Sequence, residues 1–81
     1  MSDVAIMSEQ IRAARALLRW EQKDLAERSG VSLPSIKRIE TKAGPVTSQP
    51  RTVIAIISAL VAAGISFDLS EGSGPGVRLR E

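Results

Sequence analysis

Apolar residues keep a helical spacing through most of the chain and an alternating one at its end. Ile11, Ala14 and Leu18 recur at i, i+3 and i+7, with Leu17 widening the stripe, so a first helix spans about residues 8–19. Ser8 stands at its start as the N-cap, where a hydroxyl can accept a first-turn amide. Glu9 then sits where the helix dipole favours an anion. A second helix covers about 21–28, with Leu25 and Ala26 inward; Ala26 is small where two helices cross closely. Gly30 ends it, because a left-handed residue there carries no Cβ penalty, and Val31 plugs the angle that follows. Ser32 caps a third helix, about 32–41, with Pro34 in the first turn, where no amide hydrogen bond is lost. Ile36 and Ile39 face inward, leaving Leu33, Ser35, Lys37 and Arg38 on the outer surface or its edges.

Gly44, Pro45, Thr47, Ser48 and Pro50 mark a loop. A fourth helix follows, about 51–63, ended by Gly64. Val53, Ile54, Ile56, Ile57, Leu60 and Val61 make it apolar over more than one face, so it is the central core helix or its surplus face packs on a partner. Ile65, Phe67 and Leu69, then Val77 and Leu79, alternate with polar positions around a Gly-rich turn at 70–76. That pattern predicts a β-hairpin, which must lie on the bundle or join another sheet, since two strands alone are marginally stable. The expected organisation is a loose N-terminal tail at 1–7, a helical domain at 8–63 and a C-terminal hairpin at 64–81 that can serve dimerisation.

Composition narrows the function. With 81 residues the chain is one small domain, and one Trp and one Phe leave an aliphatic core. A core that small makes self-association a reasonable expectation. The sequence has no Cys and no His, which removes disulfides, thiolate zinc sites, the commonest general base and the commonest metal ligand. An enzyme is not expected, nor a cofactor. Residues 10–42 hold eight basic side chains against four acidic ones, and the remainder holds three against five, so positive charge gathers on the second and third helices and their flanks. Met1 to Met7 lacks a basic n-region and a long apolar core, so it does not form a signal peptide. The apolar run at 53–65 is interrupted by Ser58 and Gly64 and falls short of the roughly 20 residues of a membrane span. A soluble cytoplasmic protein is the expectation.

Gln22, Leu25, Ala26, Gly30, Val31, Ser32, Ile36, Ile39 and Glu40 agree in type and spacing with one known pattern. Over about residues 10–60 the chain resembles the Cro/λ-repressor-like, or XRE, family of helix-turn-helix transcriptional regulators. The resemblance implies a mainly α fold: a four-helix λ-repressor-like DNA-binding domain, here with a C-terminal β-hairpin. It implies that the third helix enters the major groove of double-stranded DNA. Lys37 and Arg38 can then donate to guanine O6 and N7, beside Ser32, Leu33 and Pro34 at the helix start. The last two offer only apolar contact where the family often has polar residues, which shifts specificity toward the basic pair and DNA shape. The resemblance further implies a phosphate clamp at Gln22 and a partly buried structural ion pair between Arg15 and Glu40. Lys42 and Arg51 flank the following loop as backbone-phosphate candidates, and Trp20 is a packing residue. Glu21 replaces the Ser or Thr that commonly caps the second helix in the family.

The reading that results is a sequence-specific regulator, a repressor in the first instance, acting as a homodimer. The alternative is a protein-interaction module, such as an antitoxin or antiactivator, using the helix-turn-helix surface or the hairpin toward a protein partner.

Overall fold

Helices form where the apolar periodicity places them, and their ends follow local capping. The structure, a computed structural model, describes residues 6–68 and 76–80. Its elements run α1 (Ser8–Leu18), α2 (Gln22–Ser29), α3 (Leu33–Thr41), α4 (Pro50–Ala62), β1 (Ile65–Asp68) and β2 (Gly76–Leu79). The fold is mainly α, with an antiparallel two-stranded hairpin after four helices. Ile11, Ala14, Leu25, Ile36, Ile39, Val53, Ile56, Leu60 and Ile65 form the core, with Trp20, Ala26, Val31 and Phe67 packed at its margin. Each large aliphatic side chain taken fully out of water there contributes roughly 1.5–3 kcal/mol. Leu17, expected to widen the inward stripe of α1, instead points outward at 44% exposure. It lies between buried Ala14 and partly buried Leu18 along the helix.

Gly30 takes φ 78° and its amide donates to Ala26 O at 2.9 Å, closing α2 as the sequence leads one to expect. Ser32 caps α3, accepting from the Ser35 amide at 3.3 Å, with Pro34 in the first turn. The start of α1 differs from expectation. Met7, not Ser8, is the N-cap residue, and its amide donates to Gln10 Oε1 at 2.8 Å. Ser8 is the first helical residue, fully buried, and its hydroxyl donates to Lys42 O at 2.8 Å. A polar side chain with a distant partner has no local signature, which is why it reads as a cap. The loose tail also ends earlier than expected: Ile6 is 2% exposed within the core, and Met7 pairs with Pro45 in an isolated β-bridge. Met1 to Ala5 lie outside the described residues.

In the hairpin Ile65 faces Leu79, Ser66 faces Arg78 and Phe67 faces Val77. Ile65, Phe67, Val77 and Leu79 share the face laid against the helices, while Ser66 and Arg78 are exposed. Two polar links fasten the hairpin. Gln10 Nε2 donates to Gly76 O at 3.0 Å, and the Arg80 amide donates to Gly64 O at 2.8 Å. Gly64, at φ 109°, lies so close that a Cβ would meet Leu79 Cδ1 at 3.3 Å. Leu69 and all of the Gly-rich turn but Gly76 lie outside the described residues.

Candidate nucleic-acid interface

A recognition surface needs a protruding helix and something that fixes its angle. Helix α3 turns Ile36 and Ile39 into the core and leaves Pro34, Lys37 and Arg38 exposed, with Leu33 half-buried at its first turn. Ser32, also exposed, is engaged as the cap and donates its own proton to Ser35 Oγ at 2.9 Å. Among the described residues Lys37, Arg38, Lys42 and Arg51 enter no ion pair. All four are exposed.

A buried node lies at the end of α3. Arg15 Nε donates to Glu40 Oε2 at 2.7 Å and Nη2 to Oε1 at 2.6 Å, a two-pronged pair. Glu40 is buried, with 3% side-chain exposure, and Arg15 keeps 18%. The guanidinium also donates through Nη1 to Trp20 O at 3.0 Å. A planar fork with several donors suits this geometry, and a lysine could not reproduce it. Arg12 Nη1 adds a bond to Glu40 O at 3.3 Å. One charged pair therefore ties α1 and the α1–α2 junction to the end of the protruding helix.

Gln22 belongs to the same node. Its Nε2 donates to Glu40 Oε1 at 3.1 Å, so the first residue of α2 is held against the last turn of α3. Neither a bare phosphate clamp nor a solvated residue describes it: one amide hydrogen is committed inward. The signal was absent from local sequence, because the two residues are 18 positions apart. Glu21 is the N-cap of α2 without a side-chain cap bond of its own; its amide instead donates to Asp24 Oδ2 at 2.8 Å. Trp20 packs against the core, and the Arg28 guanidinium lies over its ring, 4.8 Å from the centroid.

Beyond α3 the chain makes a recess of about 200 Å³ lined by Arg38, Ile39, Lys42, Pro45, Val46, Thr47 and Ser48. It gathers Arg38 and Lys42 with two hydroxyls. Arg51 sits at the start of α4, bonded through Nε to Gln49 Oε1 at 3.4 Å. The loop itself is held from below by the start of α1. The Ser8 amide donates to Gly44 O at 2.9 Å, and the Gly44 amide donates to Glu9 Oε1 at 3.2 Å. Bonds from its own backbone amide and from Gly44 hold the Glu9 carboxyl below its ordinary pKa.

Two short helices joined at a left-handed glycine, the second carrying an unpaired basic outer face, define a DNA-binding helix-turn-helix domain. Residues 11–60 match the model of the helix-turn-helix family, and the chain belongs to it as a Cro/λ-repressor-like, XRE-type regulator of double-stranded DNA. No curated protein matches the chain. Among the described residues no helix is long and apolar enough to cross a membrane.

Proposed function

We propose that the protein is a cytoplasmic repressor that binds DNA as a homodimer, inserting α3 into the major groove. The observation that carries this is the outer face of α3, where Lys37 and Arg38 are exposed without an internal anion while Arg15, Glu40 and Gln22 fix the helix from behind. Lys37 and Arg38 donate to base edges or adjacent phosphates, Ser32 adds a polar contact, and Leu33 and Pro34 lie against thymine methyl groups. Gln22 directs its second amide hydrogen at a phosphate, with Lys42 and Arg51 contacting the backbone on either side of the loop.

Dimerisation supplies what one small domain lacks. Two copies on half-sites one DNA turn apart, roughly 34 Å, would double the contacts that a single domain makes. Ile54 is 52% exposed and Val61 40% exposed on the outer side of α4, which bears no charge after Arg51. A second surface is the outer edge of β2. The bond from Arg80 to Gly64 O sets the ladder so that the polar backbone groups of Val77 and Leu79 face away from β1. Such an edge can pair with another strand.

Binding to DNA fragments from around its own gene, measured over a range of salt, tests the reading. A specific complex whose affinity falls steeply with salt is expected. No complex with any fragment, together with a stable complex with a cellular protein, would move the exposed Pro34 and half-buried Leu33 to the antitoxin or antiactivator reading instead.

A further inference from the structure

The residues that start α1 are spent on the loop that leaves α3, and none of them belongs to the recognition ridge. Four links join the two segments. Ser8 Oγ donates to Lys42 O at 2.8 Å, the Ser8 amide to Gly44 O at 2.9 Å, the Gly44 amide to Glu9 Oε1 at 3.2 Å, and the Val46 amide to Ile6 O at 2.9 Å. Ile6 and Ser8 are almost wholly buried, so this clasp is anchored in the core rather than laid on the surface. Of the stretch it grips, Lys42, Pro45 and Val46 line the recess together with Arg38, Thr47 and Ser48. A serine hydroxyl buried against a backbone carbonyl stabilises little by itself. Its geometric effect is larger, because it fixes the carbonyl of Lys42, a residue that lines the recess.

We propose that Ser8 and Glu9 are positioning residues for DNA binding: they hold the Lys42–Val46 loop so that Lys42, Arg38 and the Thr47 and Ser48 hydroxyls converge on one backbone phosphate. This rests on the DNA-binding reading above and extends it to residues outside the helix-turn-helix. The ligand is a phosphodiester because the recess offers two cations and two hydroxyl donors and no carboxylate among its lining residues. Neither Ser8 nor Glu9 touches the phosphate. Ser8 is buried, and Glu9, as an anion, would repel it.

That last point makes the test discriminating. Affinity for an operator fragment is measured over a range of salt for the full chain and for Glu9→Ala, Glu9→Gln, Ser8→Ala, Lys42→Ala and the double variant Ser8→Ala/Lys42→Ala. Glutamine keeps the acceptor for the Gly44 amide while dropping the charge, so Glu9→Gln should bind at least as tightly as the wild type. Glu9→Ala and Ser8→Ala should each bind several-fold more weakly, with the slope of log affinity against log salt flattened by about one contact. Ser8→Ala should cost less once Lys42 is alanine, because one of the groups it positions is gone, whereas a general loss of stability would add in full. Glu9→Ala binding as tightly as Glu9→Gln, or Ser8→Ala acting additively with Lys42→Ala, overturns the proposal. Glu9 is exposed, so its variants fold even if Ser8→Ala does not. Lys37→Ala in the same series separates the two claims. If it weakens binding and the clasp variants do not, only the clasp fails; if no variant matters, the interface itself is misplaced.

Discussion

Arg15 and Glu40 carry charge into the interior behind α3, and the cost of doing so falls on whichever is left alone. Replacing Arg15 with alanine leaves Glu40, at 3% side-chain exposure, with only Gln22 as a side-chain partner. Breaking a buried pair from one side costs about 3 kcal/mol. For a domain of this size that is a fall of more than 10 °C in melting temperature, at about 4–8 °C per kcal/mol. Thermal unfolding followed by circular dichroism checks it, and Arg15→Lys should recover only part of the loss, since it cannot span both carboxylate oxygens. Glu9 supplies a pH dependence. Its folded pKa lies below the unfolded value, so its contribution to stability is present above the ordinary carboxylate range and is lost as pH falls through the lowered value. Wild type and Glu9→Ala should therefore differ in melting temperature near neutrality and converge in acid. At this scale the sequence was legible where a residue type had a single use. The Arg15–Glu40 pair followed from the family resemblance, whereas Ser8, Gln10 and Gln22 did not show their partners. Each of those three bonds to a group far along the chain, and short polar side chains carry no mark of distance.

Elements were legible because periodicity and punctuation agree. Gly30, Ser32 and Pro34 mark the turn and the start of α3 so closely that its boundaries move by no more than a residue. Helix α4 starts and ends one residue earlier than periodicity suggests, since Pro50 fits the first helical position and Gln49 serves as N-cap. The N-terminal segment was illegible for the opposite reason: Ile6 lies outside any periodic run, yet the fold closes over it. Two glycines separate backbone strain from crowding. Gly30 has φ 78° with open space where a Cβ would be, so Gly30→Ala should cost about 1 kcal/mol through conformation alone. Gly64 has φ 109° with Leu79 and Arg80 in the way, so Gly64→Ala should cost more and act through the seat of the hairpin. Denaturant titrations of the two variants, compared at equal slope, test that order.

The whole molecule joins an aliphatic core to an exposed basic face on α3. Its α1–α4 bundle and hairpin leave α3 at the surface, and every buried side-chain nitrogen or oxygen among the described residues has a partner. At this scale the uncharged outer side of α4 should matter only through assembly. Ile54→Asp combined with Val61→Asp should yield monomers by sedimentation without lowering helix content, and should weaken binding to a two-half-site operator more than to a single half-site. In the proposed function some residues hold the ridge and others read DNA. Operator affinity of Lys37→Ala and Arg38→Ala, set beside that of Arg15→Ala at a temperature where all three are folded, tests the division most directly. The expected result is loss of specific binding by about 1–3 kcal/mol for each ridge variant with an unchanged melting temperature. Arg15→Ala should instead melt much earlier. Full operator affinity in both ridge variants, or an Arg15→Ala protein that melts like the wild type yet no longer binds, would contradict the account.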